Sequence, residues 1–220
     1  MSIMPIYTPF KKPVVSGGFT SSAVSEADSA VYTFSSQAIG TAASDRYVVV
    51  AANTATASAA DANSVTVGGE SASLVVRASG GDHSRVELWI VLVTSGTSAD
   101  IVITWSSAKD RCGCAAWAIY GASATASDTA TDADTTPSQT IDCPAGGIII
   151  AGQVMNGSGA TRTASWTGLT EDYDQEMQAN TSQTGASDLF TDAVSGRTVA
   201  VSPSAGIGLS AMAIASFGPA

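Results

Sequence analysis

The sequence predicts an all-β protein: a single antiparallel β-sandwich of jelly-roll-like arrangement over residues 29–220, preceded by an extended N-terminal arm over residues 1–28. Three observations predict it. Runs rich in Val, Ile, Thr and Ser alternate apolar with polar residues, whereas no stretch of helical length places apolar residues three and four apart. Turn residues interrupt these runs at roughly the 8–12-residue spacing of sandwich strands. Charged residues make up 13% of the chain against 45% apolar, and much of the apolar share is Ala beside abundant Ser, Thr and Gly, a balance that suits closely paired strands. A chain of 220 residues buries a sizeable core without a second domain.

The arm comes first. Pro5, Pro9 and Pro13 stand four residues apart ahead of Gly17-Gly18 and a Ser-rich stretch. Proline lacks an amide donor and resists both helix and central strand, so this segment is expected to be extended and to dock onto a neighbouring subunit. Its apolar anchors are Ile3, Ile6, Tyr7, Phe10 and Phe19, with Lys11 and Lys12 steering it toward an acidic surface.

Strands are expected at 30–36, 46–52, 63–67, 70–77, 85–94, 100–105, 113–120, 138–142, 147–155, 162–166, 170–179, 187–191, 197–202 and 209–217. Gly68-Gly69 reads as a tight hairpin turn. Alternation in 85–93 puts Val86, Leu88, Ile90 and Leu92 on the core face and leaves Trp89 on a mixed face with Arg85 and Glu87. Trp105 and Trp117 share faces with apolar neighbours and are core anchors, and unbroken Ile148-Ile149-Ile150 marks a central strand covered on both sides. The stretch 121–137 is a polar low-complexity loop, and no repeat of fixed period is visible.

Candidate chemistry is sparse. His83, the one histidine, sits in an expected turn with no nucleophile elbow near any serine. Cys112, Cys114 and Cys143 are too few for a zinc site or a disulfide framework; they are either buried thiols or a source of one late disulfide. Asp128, Asp132 and Asp134 gather in the polar loop without the glycine and terminal glutamate of an EF-hand, leaving calcium or a plain solvated loop. Alternation places Glu171 on the opposite face from Asp172, Asp174 and Glu176, which argues against a hydrolytic carboxylate pair. Trp89 and Trp166 are the two tryptophans left to stack on a sugar ring, or to pack on a loop or subunit. No enzyme, metal or cofactor is expected.

The formal net charge is −10, and residues 1–25 hold Lys11 and Lys12 with no acid, so the arm carries +2 and the remainder −12. Such a body repels a phosphate backbone, so nucleic acid is not an expected partner. No apolar run approaches the roughly 20 residues of a spanning helix, and the first residues lack the order of a signal peptide, so a membrane partner is not expected and synthesis in a cytoplasm is.

The segments Asp45-Arg46-Tyr47-Val48-Val49-Val50-Ala51, Val65-Thr66-Val67-Gly68-Gly69, 89–97 and Ala116-Trp117-Ala118-Ile119-Tyr120-Gly121, with 212–217 as a closing strand, resemble β-sandwich virion proteins of tailed phages and prophages. That resemblance implies a structural role in a virion, as head decoration or as a tail- or fibre-associated protein. The expected partners are then major capsid or tail subunits and further copies of the chain itself, with host surface glycans as the partner of an adhesin alternative.

Overall fold

The computed structural model describes residues 13–55, 60–81, 83–157, 162–178, 180–204 and 206–220. These form seventeen strands and no helix. The strands are β1 (Ser16–Ser25), β2 (Ser29–Ala38), β3 (Arg46–Ala55), β4 (Ala62–Val67), β5 (Glu70–Ser71), β6 (Ser73–Gly80), β7 (Ser84–Leu92), β8 (Ser98–Lys109) and β9 (Cys112–Tyr120). The second half holds β10 (Asp128–Asp132), β11 (Ser138–Cys143), β12 (Ile148–Asn156), β13 (Ala164–Thr167), β14 (Thr170–Gln178), β15 (Thr181–Leu189), β16 (Val194–Pro203) and β17 (Leu209–Phe217).

All pairing is antiparallel, but the single sandwich expected from the sequence is replaced by two. The first has an inner sheet β1-β9-β3-β7-β6 and an outer sheet β2-β8-β4-β5; the second has an inner sheet β10-β17-β12-β15-β14 and an outer sheet β11-β16-β13. In each sandwich the first strand of the inner sheet pairs with the last, β1 with β9 and β10 with β17. The two inner sheets pack on each other, giving four layers and three cores.

Alternation along the inner strands divides their side chains between cores. On β3, Val48 and Val50 enter the first outer core with Tyr32, Ile103 and Trp105, while Val49 and Ala51 enter the central core with Leu88 and Trp117. On β12, Ile148 and Ile150 face the central core and Ile149 the second outer core, so the unbroken isoleucine run does mark a doubly covered strand. In β7 both faces are core: Val86, Leu88 and Ile90 point one way, Trp89 and Val91 the other, and Leu92 is 43% exposed at the strand end. Gly68 and Gly69 have φ of 61° and 89°, the left-handed pair a two-residue hairpin between β4 and β5 requires.

The second sandwich repeats the first. Exchanging β1, β2, β3, β4, β6, β7, β8 and β9 for β10 to β17 in order turns one pair of sheets into the other, leaving β5 without a counterpart. A bulge fixes the alignment: the ladder slips between Leu74 and Val76 on β6 and between Glu171 and Tyr173 on β14. Val76 therefore matches Tyr173, and following the ladders matches Leu88 with Gly185, Ala51 with Gly152, Ala115 with Ala213, Trp117 with Ala215 and Phe19 with Thr129. A Cβ on Gly152 would stand 3.3 Å from that of Ala51, so these two matched positions meet where the inner sheets pack. The offset changes from strand to strand because the connecting loops differ in length, which is why no fixed period shows in the sequence.

Candidate attachment surface

Val14 and Val15, at the start of the described residues, and the last residues of the chain come together where the two sandwiches join. Val15 is buried in the central core and donates its backbone N–H to Gly146 O at 2.7 Å, while Val14 is half exposed and its carbonyl lies against Gly121. From the other terminus, Ala220 N donates to Gly121 O at 2.9 Å and Ala122 bridges Pro219. Residues 1–12, with Ile3, Ile6, Tyr7, Phe10, Lys11 and Lys12, lie outside the described residues and join the body at this end.

Phe19 does not belong with them. The expected arm boundary at 28 gives way to β1, paired with β9 from Ser16↔Tyr120 to Ser25↔Cys112. The Phe19 ring stacks on Tyr173 at 5.4 Å and meets Trp117 edge-on at 6.0 Å, so it closes the central core instead of anchoring a partner. Ser-rich sequence with paired glycines forms a strand here because the edge of β9 supplies its hydrogen bonds.

The tryptophan pair expected to stack on a sugar is also not assembled. Trp89 is 6% exposed in the first outer core and donates Nε1–H to Glu87 Oε2 at 2.9 Å, leaving no open ring face. Trp166 is half-buried over the second outer core, with Nε1–H donated to Thr184 Oγ1 at 2.9 Å. Two inner sheets separate them.

The acidic groups are taken up by the fold. Asp128 accepts from the backbone N–H of Thr129 and of Asp142, each at 2.8 Å. Asp132 accepts from Ala133, Asp134 and Ser138 N–H and from Gln139; burial opposes its ionisation, but these bonds outweigh that and hold its pKa below the usual value. The expected loop is thus partly strand β10, and among the described residues no group of three His, Cys, Asp or Glu is placed to hold a metal. In the run 171–176 the bulge at Asp172 overturns simple alternation. Glu171 and Asp174 pair with Ala186 and Thr184 on the same side of β14, while Asp172 accepts Trp117 Nε1–H at 2.7 Å. Burial raises the pKa of Asp172, offset in part by hydrogen bonds from Trp117 and Ser187.

A raised carboxyl pKa stabilises the folded state fully below the unfolded value, and that contribution is lost as pH rises through the folded pKa. Asp172→Asn is therefore expected to gain stability relative to the wild type as pH rises from 3.5 to 7. Urea denaturation of both proteins at the two pH values checks this, and a difference independent of pH refutes it.

All three cysteines are free and buried. Cys112 and Cys114 lie in the first outer core and Cys143 in the second, so the late disulfide is ruled out by two intervening sheets. Burial pushes the Cys112 thiol up to about 12 and Cys143 up to about 11, far from reactive thiolates. His83 is exposed in the turn between β6 and β7.

One cluster escaped sequence reading. Glu87 is fully buried and accepts from Arg77 Nε at 2.7 Å, Ala62 N at 3.1 Å and Trp89 Nε1 at 2.9 Å; Arg77 and Arg85 also reach Asp61 at 2.9 and 3.3 Å. In the second sandwich the acceptor comes from the neighbouring strand: Asp174, at the position that matches Arg77, accepts Ala164 N–H at 2.7 Å. The repetition marks a device that satisfies the first amide of β4 and of β13.

Comparison with protein families, with curated proteins and with solved structures returned no match.

Proposed function

We propose that this chain is a non-enzymatic structural subunit of a tailed-phage particle, made in the host cytoplasm and carried on the virion as a decoration or surface protein attached through its N-terminal segment. The observation that carries the reading is the fixed exit point: Val15 is clamped to Gly146 in the central core, so residues 1–12 leave a tightly layered body at one defined place. That segment holds Lys11 and Lys12 without an acid, while residues 26–220 carry a net −12. Jelly-roll winding is shared by viral capsid and lectin domains, so fold alone does not select between them. The burial of Trp89 favours the structural reading over a glycan-binding one. Carboxyls of Asp172 and Asp174 held in hydrogen bonds within the fold, and three buried thiols, support the non-enzymatic reading.

The partners are major capsid or tail subunits and other copies of the chain. Many weak contacts on one lattice hold such a subunit firmly. Deleting residues 2–12 and mixing the variant with particles that lack the protein is expected to abolish attachment. Tyr7→Ala with Phe10→Ala should weaken it at every salt concentration, and Lys11→Ala with Lys12→Ala chiefly at low salt. Wild-type occupancy by the deletion variant overturns the reading.

A further inference from the structure

The central core is polar along one seam and apolar along the matched one. Asn53 on β3 stands beside Val86 on β7, and Val154 on β12 beside Gln183 on β15, so the internal repeat matches Asn53 with Val154 and Val86 with Gln183. All four are fully buried. Asn53 Nδ2 donates across the core to Gln183 Oε1 at 2.8 Å, and Gln183 Nε2 donates onward to Ala23 O at 3.1 Å. The matched residues Val86 and Val154 belong to the apolar cluster of the same core. A second contact shows the same contrast. Trp117 donates Nε1–H to Asp172, the extra residue of the β14 bulge, whereas the matched positions hold Ala215 and Val75, the extra residue of the β6 bulge.

Two halves with one strand order and similar buried faces can also join like with like, by exchange between copies of the chain. The matches say what each residue would then meet. First with first, Asn53 faces Val86 of the other copy and the Trp117 indole faces Val75, so an amide and an indole N–H are left unpaired. Second with second, Gln183 faces Val154, and Ala211 stands where Gly113 now makes room. A Cβ on Gly113 would lie 2.2 Å from Gln183 Oε1, so the methyl of Ala211 excludes the side chain from that position. The β17 backbone at Ser210 would likewise face the end of β14, Met177 and Gln178, instead of Gly80, where even a single Cβ would fall 1.9 Å from Ser210 O.

We infer that Asn53–Gln183 and Trp117–Asp172 act as a pairing code, joining each first sandwich to a second sandwich and discriminating against like-with-like exchange between copies. Stability does not account for the amide pair. Asn53 Oδ1 is buried without a partner, and at the matched site two valines fill the core without any polar group. Apolar residues of similar volume in place of a buried polar pair are often neutral or stabilising, and the best-attested use of such a pair is to fix which surfaces meet.

Refolding from urea over a concentration series tests this, with mass read by size-exclusion chromatography and light scattering. The quantity compared is the multi-chain fraction formed on refolding beyond that of the same protein never unfolded, because halves exchange only through unfolding. Wild type is expected to show almost none. Asn53→Val with Gln183→Val copies the valines of the matched seam; it should keep the wild-type urea midpoint or exceed it, yet raise the exchanged fraction by about tenfold or more, the weight of one unpaired buried donor. Asp172→Val, which copies Val75, removes the second contact and should raise the fraction on its own. A folded double variant with the wild-type mass distribution overturns the inference, as does a wild type that itself refolds largely into exchanged species. Should the double variant not refold, an unchanged distribution for Asp172→Val overturns it instead.

Discussion

Replacing Gly80 with alanine is expected to pry the two sandwiches apart and to cost about 3 kcal/mol or more, the upper end of overpacking penalties. A Cβ at this position would lie 1.9 Å from Ser210 O and 2.6 Å from Ser210 C. Those are backbone atoms of β17, held in a ladder with β12 through Met155↔Ser210, so no side-chain rotation relieves the clash. The inner sheets must separate near that end, and the neighbouring central-core residues Ala78 and Ala211 lose contact with them. Gly208→Ala is the control, since its nearest neighbour would be at 3.7 Å; it should stay within about 0.5 kcal/mol of wild type. Differential scanning calorimetry reads both variants. Gly80→Ala is expected to lower the midpoint or split the transition into two as the halves uncouple, and a transition matching that of Gly208→Ala would mean that the interface yields freely.

Why the inner sheets come so close also explains what the sequence concealed. Large β-branched and aromatic residues were legible: Trp105 and Trp117 sit in the cores where alternation put them, and the unbroken run Ile148-Ile149-Ile150 is covered on both faces. Strand β15, Thr181–Leu189, is buried over most of its length yet has no large apolar residue before its last position. Its two longest-reaching networks are internal: Gln183 accepts from Asn53 and donates to Ala23 O and to Gln175, and Thr184 donates to Tyr173 O, while the Ser182 hydroxyl is buried without a partner. Burial without hydrophobicity carries no periodic signal; β10, built from Asp, Thr and Ala, and β1, built from Ser, Gly, Thr and Ala around Phe19 and Val24, are similarly silent. Four-layer stacking was hidden for a related reason. A strand covered on both faces by small residues reads like one half exposed, so Trp89 beside Arg85 and Glu87 looked solvent-facing until the outer sheet was placed over it.

Glu87→Ala is expected to be as damaging as any substitution in the first sandwich. The carboxylate is fully buried and receives three donors: Arg77 Nε, Ala62 N and Trp89 Nε1. Truncation strands the Ala62 amide and the Trp89 indole N–H among apolar groups, and each orphaned donor costs about 1–3 kcal/mol. It also leaves Arg77 with Asp61 as its remaining ion-pair partner, at 2.9 Å. Breaking a buried ion pair from one side typically costs about 3–5 kcal/mol, a large share of a net stability of about 5–15 kcal/mol. Asp61→Ala removes a carboxylate from the same cluster, but its side chain is 47% exposed, so the expected loss is about 1 kcal/mol or less. Glu87→Gln falls between, because its oxygen can still accept from Arg77 and Ala62 while the new amide NH2 faces the Trp89 indole N–H, donor against donor. The order Ala, then Gln, then wild type in urea midpoint at pH 7, with Asp61→Ala near wild type, is the expected result. If Asp61→Ala costs as much as Glu87→Ala, the energy resides in the exposed ion pairs, and the satisfied amide of β4 is not what holds this end of the sandwich closed.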